Sequence, residues 1–288
     1  DNNSRDDSVE MLENLKLKIE NLKLEIITNN DNLGFAKAVN QGIRKSRGEY
    51  LLLLNSDTIV PPQTLEKMIE FARKKKDAGI IVPKLLDKNG KTSQPSCYRL
   101  PTIKGAIKEF WLGKKGAFGK YLPRGGSPVK PEAAVGAAML IPRTVYDVVG
   151  EFDEKYFMYY EDLDYCRRVR EAGFAVYYLP TAKIIHYHGQ SGQKEPQKVN
   201  RYLIESSKKY HGRLKHFFLN AVIRLGQAKK FLPLILLVLV MLAWSIHHLY
   251  FLKPILPKTH DGHFHLIRLF EFDRSIKAGI IPPRWAPG

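Results

Sequence analysis

Four consecutive leucines at positions 51–54 run directly into Asn55-Ser56-Asp57. A short, bounded, wholly apolar run of this kind reads as a strand buried on both faces, as in a sheet covered by helices. Glu49-Tyr50 leads into it, and Pro61-Pro62 closes the segment that follows. Asn55 and Asp57 are therefore expected at the carboxyl end of a central strand, where open α/β sheets bind their ligands. Two oxygen-bearing side chains two positions apart can share one hard cation, and such a cation can hold a diphosphate. The plainer alternative is that Asp57 only closes a turn before the prolines.

The flanking patterns extend this architecture. Asp6, Asp7 or Ser8 can cap a first helix reaching about Asn21. Residues 22–28 read as a short strand, 29–33 as a polar turn, and 34–46 as a helix with Phe35, Ala38 and Ile43 inward. A helix is expected over 62–75 and a strand over 78–82. Strands alternating with helices predict βαβ units and an α/β fold with a mostly parallel sheet. The pattern weakens over 85–131, rich in Lys, Gly and Pro with Phe110, Trp111 and Phe118 among them, which suggests an insert or mobile loops. Beyond it, 133–141 reads as a small-residue strand, 142–149 as a short helix and 161–172 as a helix. Residues 174–179 and 182–188 read as two further strands.

The chain of 288 residues is 44% hydrophobic and 26% charged, a globular composition, with a formal net charge of +17. So basic a balance suits anionic lipid, phosphorylated ligands or nucleic acid. No arginine-rich helix with interleaved aromatics and no zinc-finger spacing is present, which argues against nucleic acid. Cys97 and Cys166 stand in no metal-like spacing and fit a reducing compartment without a disulfide framework.

Residues 194–230 read as a basic helical linker. Residues 231–252 contain no Lys, Arg, Asp or Glu. About 20 apolar residues span a bilayer, so this segment is expected to be a transmembrane helix. Lys208, Lys209, Arg213, Lys215, Arg224, Lys229 and Lys230 precede it, and fewer basic residues follow closely. That asymmetry predicts a cytoplasmic location for everything before the span, and makes 253–288 the start of an extracytoplasmic loop. The opening DNNSRDDS reads as a loop entering a helix, and PPRWAPG ends without a closing element, so a chain cut at both ends is expected.

Four clusters can carry chemistry. They are Asp1-Asn2-Asn3-Ser4, the run NLGFAKAVNQG at 32–42, Asn55-Ser56-Asp57, and a distributed set in the second half. That set comprises GAAM at 136–139, GEFDE at 150–154, YEDLD at 160–164 and HYHGQS at 186–191. Gly34 opens a helix and permits close backbone approach, and a helix N-terminus favours phosphate. Asn32 and Asn40 can donate and accept toward a sugar or base. Glu161 and Asp162 begin a helix, whose dipole favours ionised carboxylates, and a carboxylate near a bound diphosphate can act as general base. His186 or His188, at a strand end, can complete a cation site with Asp57. Against each stands an ordinary role: a capping carboxylate or a structural histidine.

Taken together and in this order, the clusters resemble the inverting family 2 glycosyltransferases of GT-A (Rossmann-like) fold, especially their rhamnosyltransferase-type branch. The resemblance covers about residues 1–191. It implies that Asp1 contacts the nucleotide base and that Asn32, Gly34 and Asn40 line the nucleotide site. Asn55-Ser56-Asp57 matches the DxD-type motif that holds Mn²⁺ or Mg²⁺ on the diphosphate, with Asn in the first place, so Asp57 is its only charged ligand. The resemblance makes Asp162 the base that deprotonates the acceptor hydroxyl, with Glu161 second. It puts His186 on the metal ahead of His188, and sets Gly136 and Ala137 under the donor sugar. It implies a single displacement with inversion, from a nucleotide-sugar donor such as dTDP-rhamnose to a lipid-linked or cell-envelope glycan. Family members carry a strand and helix before the DNNS turn, which this chain lacks.

The stretch THDGHFH at 259–265 admits a metal site or an amphipathic juxtamembrane helix. It also resembles the first extracytoplasmic loop of polytopic, lipid-sugar-dependent membrane glycosyltransferases, which makes Asp261 a candidate second site and the chain a fusion. Two other functions fit parts of the pattern. One is a non-catalytic nucleotide-sugar-binding or docking domain of a membrane protein. The other is a nucleotidyltransferase, against which the Glu161-Asp162 and HYHGQS motifs speak.

Overall fold

A computed structural model describes residues 1–18, 24–187 and 196–251, apart from a few side chains at helix ends. It divides into two compact units, Asp1–Lys229 and Lys230–Gly288.

The first unit is built on a five-stranded sheet. The leucine run forms β1 (Tyr50–Leu54), followed by the short β2 (Thr58–Ile59). Then come β3 (Ala78–Leu86), β7 (Ala138–Pro142) and β8 (Ala175–His186). A second sheet of three strands contains β4 (Cys97–Arg99), β5 (Gly119–Tyr121) and β6 (Ala133–Ala134). The large sheet runs β1-β7-β3-β8-β2 and the small one β5-β4-β6.

Period-two alternation explains how β1 is covered on both sides. Leu51 and Leu53 pack with Ile80, Met139 and Val176 into the main core, beneath α2 (Phe35–Lys45), α5 (Arg143–Val149) and α6 (Glu161–Glu171). Tyr50 and Leu52 face the opposite core, where Met68 of α3 (Thr64–Lys74) meets Ile81, Leu140 and Tyr177. Each fully buried aliphatic side chain contributes about 1.5–3 kcal/mol, which fixes the height of Asn55-Ser56-Asp57 at the strand end. Of the remaining helices, α1 (Ser8–Lys18) precedes the sheet and α4 (Ile103–Ala106) continues into a π-helical turn over Ile107–Trp111. Two helices, α7 (Pro196–His211) and α8 (Arg213–Ala228), follow it.

Several expectations need correction. The sheet is mixed and not mostly parallel: β3 and β8 are parallel, but β7 runs antiparallel to both β1 and β3, and β2 antiparallel to β8. The segment 85–131 supplies the reason. It forms part of the small sheet, and from there the chain re-enters the large sheet in the opposite direction between β1 and β3. The strand expected over 133–141 is accordingly two strands in different sheets, broken at Val135-Gly136-Ala137. The two strands expected at 174–188 are one, because a register shift between Pro83 and Lys84 absorbs Pro180. Residues 24–28 do not form a strand. Their backbone bonds go to Asp1, whose amino group donates to Ile27 O while Asn29 N–H donates to Asp1 O, too few to build a ladder.

The basic stretch expected as a linker contains α7 and α8, and both lie within the first unit. Tyr202 packs on Phe157 with ring centroids 4.6 Å apart, Ser206 Oγ donates to Met158 O at 2.8 Å, and Trp111 Nε1 donates to Val222 O at 3.0 Å.

In the second unit the backbone of α9 is helical over Leu232–Phe251. The expected transmembrane helix is not supported: among the described residues no helix is long and apolar enough to cross a membrane. His188 and Asp261 lie outside the described residues.

Candidate active site

The break between β6 and β7 organises the site. Ala137 O accepts the Asn55 N–H at 2.9 Å, tying the end of β1 to the break. One residue earlier, Gly136 N–H donates to Asp162 Oδ2 at 3.2 Å. Asp162 Oδ1 also accepts its neighbour's amide, Leu163 N–H, at 2.8 Å. Four of the predicted residues, Asn55, Gly136, Ala137 and Asp162, are thus joined through hydrogen bonds to the backbone of the break.

Two consecutive tyrosines in the left-handed region, Tyr159 (φ 68°) and Tyr160 (φ 70°), turn the chain into α6. Such backbone costs of order 1–3 kcal/mol per residue and persists only where packing enforces it. Here it sets Glu161 and Asp162 at the first turn of the helix, facing a cleft of about 430 Å³. Tyr98, Phe118, Lys120, Tyr160, Val199 and Leu203 supply much of the remaining wall.

The two adjacent carboxyls differ. Glu161 is buried, and its Oε2 finds no hydrogen-bond partner among the described residues. Burial, then the neighbouring Asp162 charge, push its carboxyl up to about 8. Enclosure also raises Asp162, but the Gly136 and Leu163 amides pull it back toward the ionised form. The two differ in their partners: two backbone amides favour the ionised form of Asp162, and no donor among the described residues reaches Glu161 Oε2. Lys120, with its ammonium 5.4 Å from the centre of the Tyr98 ring, is lowered by desolvation, and the Asp162 charge opposes this.

The third acid of the motif is scaffolding. Asp164 is buried and pairs with Arg167 at 2.6 Å and Arg168 at 3.0 Å. Arg168 also donates to Val149 O and Glu151 O, pinning the GEFDE loop.

At the end of β1, Asp57 Oδ1 lies 3.3 Å from His186 Nε2 at the end of β8. Tyr187 N–H donates to Asp57 O at 2.9 Å. Gln94 orients the imidazole: its Nε2 donates to His186 O at 2.7 Å, and its Oε1 stands 3.2 Å from Nδ1. An Nδ1–H donor to Gln94 turns the Nε2 lone pair toward Asp57, as a cation site needs. Among the described residues no group of three or more His, Cys, Asp and Glu could hold a metal ion. The Asp57–His186 pair fits a divalent cation only if diphosphate oxygens and water complete its coordination, a usual arrangement for Mg²⁺.

The first two clusters form a separate hydrogen-bonded group. Asp1 accepts from the Ser4 amide at 2.9 Å and from the Ser4 hydroxyl, closing the turn. Asn32 Oδ1 accepts from Asn2 Nδ2 and from Gly34 N–H, each at 3.0 Å. Asn2, named in the first cluster without a role of its own, bonds to Asn29, Asn32, Leu33 and Gly34. Lys120 and Gln94 were missed by the sequence reading. Both lie in the weakly patterned stretch, where periodicity offers no signal.

Asn40 and Gly34, both expected at the nucleotide site, have partners within the chain. Asn40 is fully buried, and its amide is committed to the GEFDE loop: Nδ2 donates to Phe152 O at 2.8 Å and Oδ1 accepts from Phe152 N–H at 3.0 Å. Gly34 (φ 87°) does permit a close approach, but of Phe157. A Cβ there would stand 2.5 Å from Phe157 O, and that same oxygen accepts the Phe35 N–H at 2.7 Å. The first amide of α2, expected to face a phosphate, is taken by this carbonyl.

Known proteins share both sequence and fold with this chain. The sequence pattern of Glycosyl transferase family 2 matches residues 1–122. The N-acetylglucosaminyl-diphospho-decaprenol L-rhamnosyltransferase of Mycobacterium tuberculosis is 28% identical over 182 residues, covering 57% of this chain and 59% of that protein. The rhamnosyltransferase WbbL of Escherichia coli is 27% identical over 186 residues, covering 64% and 69% respectively. The chain thus spans about three fifths of the length of the Mycobacterium relative. The mannosyltransferase PcManGT of Pyrobaculum calidifontis, solved with GDP-Man and Mn²⁺, is 14% identical with a TM-score of 0.50, covering 85% of this chain and 70% of that one. At that identity the likeness concerns the fold alone. The match to the Glycosyl transferase family 2 pattern lies within residues 1–122, and the mixed sheet flanked by helices, which extends to β8, resembles the GT-A-like α/β fold.

Proposed function

We propose that the chain is an inverting glycosyltransferase. It moves a sugar from a nucleotide-diphosphate donor, with dTDP-rhamnose the first candidate, to a lipid-linked or cell-envelope glycan. The observation that carries this reading is Asp162. It is held by two backbone N–H groups at the wall of the cleft, donors that favour its ionised form, beside a Glu161 whose carboxyl burial pushes up to about 8. Rhamnosyltransferase activity in the relatives' names supports the choice of donor.

In the proposed reaction the acceptor hydroxyl gives its proton to Asp162 Oδ2 as its oxygen bonds to the anomeric carbon. The bond from that carbon to the nucleoside diphosphate breaks on the opposite face, inverting the centre. Asp57 and His186 would hold the divalent cation, Mn²⁺ or Mg²⁺, which when bound stabilises charge on the leaving diphosphate. Glu161, neutral, adds no second negative charge beside Asp162 as the donor approaches.

The proposal includes membrane attachment through 231–252, with the transferase unit cytoplasmic. Its support is the absence of Asp, Glu, Lys and Arg along Leu232–Phe251 and the basic residues preceding it.

The test is transfer by the full chain from a panel of nucleotide sugars to a polyprenyl-diphosphate glycan, with the anomeric configuration of the product read by NMR. A product of inverted configuration supports the reading. Donor binding without transfer to any acceptor would favour a non-catalytic docking domain, and retained configuration would exclude the single displacement.

A further inference from the structure

The outward face of α8 is the reverse of what a surface helix normally presents. Its inner side buries His216, Leu219 and Gly226. Gly226 makes this contact possible, since a Cβ would stand 2.6 Å from Phe110 Cβ and 3.0 Å from Trp111 Nε1. At 3.6 residues per turn, Leu214, Phe217, Phe218 and Leu225 fall on one outer stripe, and all four are exposed, Leu214 at 71% and Phe217 at 65%. Four large apolar side chains turned together toward solvent mark a contact surface.

The stripe has a cationic border. Exposed Arg213 and Arg224 stack along one edge, and Lys215 lies beyond the other. On the arginine side, Lys208, Arg213, His216, Asn220 and Arg224 line a cleft of about 560 Å³ beside Phe217. His216 is held neutral by desolvation and nearby Lys208, and its ring nitrogens face Ser207 and Asn220. The charge of this cleft is therefore that of its Lys and Arg groups. The adjoining π-helical turn exposes Ile107 and Trp111, with Leu112 just beyond it.

We infer that the outer face of α8 docks on an anionic phospholipid surface: Leu214, Phe217, Phe218 and Leu225 enter the headgroup boundary while Arg213, Arg224 and Lys208 take lipid phosphates. An apolar stripe edged by basic side chains is the pattern of an interfacial helix. A second copy of the chain fits worse, because pairing the stripe with itself brings like charges together. The inference does not rest on the transferase reading. Its consequence is positional: α7 supplies Val199 and Leu203 to the candidate active-site cleft and is joined to α8 by Gly212 alone, so docking would bring that cleft close to the headgroups.

The full chain tests this with an environment-sensitive dye on Phe217→Cys, the native Cys97 and Cys166 being buried, and with Lys74→Cys on α3 as control. Vesicles of phosphatidylcholine, with or without phosphatidylglycerol, carry a lipid-borne quencher. The expected result is quenching at 217 and not at 74, dependent on phosphatidylglycerol. Arg213→Gln with Arg224→Gln should shift half-maximal quenching to about thirtyfold higher lipid. A chain that floats with vesicles while the 217 dye stays unquenched is attached elsewhere and overturns the inference. So does quenching indifferent to phosphatidylglycerol, or a 217 dye already shielded without lipid in a species of twice the chain mass.

Discussion

Gly136 and Asp162 are 26 residues apart in sequence, and a single hydrogen bond of 3.2 Å from the glycine amide to the aspartate carboxylate joins the broken strand to the first turn of α6. A side chain at 136 would meet Asp162 Cβ at 3.5 Å, ordinary contact, so the small residue leaves room without being forced by sterics. The bond fixes where the carboxylate points and favours its charged form.

Replacing Asp162 with Asn keeps an oxygen to accept from Gly136 but removes the base. Sugar transfer should fall by about 10²–10⁴-fold, while the donor dissociation constant stays within a few-fold. Initial rates and calorimetric donor titration measure the two. Transfer at half the native rate or better would rule Asp162 out as the base.

Glu161 predicts a pH-dependent stability. Its carboxyl is held at about 8 in the folded chain against 4.5 ordinarily, so between those values the folded state binds more protons than the unfolded. Below about 4.5 the group is neutral in both states and costs nothing. Stability falls as pH rises through the window, and the whole penalty is present above 8. Glu161→Gln lacks this slope. Urea melts should show native stability dropping by roughly 2–4 kcal/mol relative to the variant between about pH 5 and about pH 8, at ~1.4 kcal/mol per pKa unit. Parallel curves would show that Glu161 is not held protonated.

The cation pair is tested by melting temperature. Mn²⁺ with thymidine diphosphate should raise the Tm of the native chain, since a ligand binding the folded state stabilises it. Asp57→Ala and His186→Gln should each abolish most of that rise. An undiminished rise in both variants would place the cation elsewhere.

Two glycines in one stretch should respond oppositely. Gly34→Ala combines φ 87° with a Cβ 2.5 Å from Phe157 O and should cost about 1–3 kcal/mol. Gly42, inside α2 with nothing within 4 Å of a Cβ, should gain about 0.5–1 kcal/mol as Ala. Urea midpoints distinguish them, and equal shifts would contradict the geometry at Gly34.

Asn40→Leu removes both hydrogen bonds to Phe152 and should destabilise by about 1–3 kcal/mol per group left unpaired. Nucleotide affinity of the remaining folded fraction should be unchanged. A large loss of affinity at full stability would return Asn40 to the nucleotide site.

Local chemistry was legible in the sequence. The leucine run announced a covered strand ending at Asn55 and Asp57, and the helices around Phe35, Thr64, Arg143 and Glu161 followed from apolar spacing and flanking turns. These depend on neighbours in the chain, which one sequence displays. Strand direction does not. That β7 enters the large sheet between β1 and β3 against their direction depends on where the small sheet releases the chain, a long-range matter that local pattern leaves open.

The same division runs through the site. Residue types identified the carboxylates, the histidine and the asparagines, and the resemblance put Asp162 ahead of Glu161, but the local pattern gave no physical reason for that order among the acids at 161, 162 and 164. Tertiary packing supplies that reason: Asp164 is matched to two arginines, the buried Glu161 Oε2 meets no donor among the described residues, and Asp162 is held by two amides at the cleft. Asn40 and Asn32 look alike as letters, yet one is enclosed against Phe152 and the other braces the turn before α2. The sequence by itself determined which groups were available. Only the tertiary structure decided which of them are buried, paired or held at the cleft, because burial and hydrogen bonding act through space between residues the chain keeps far apart.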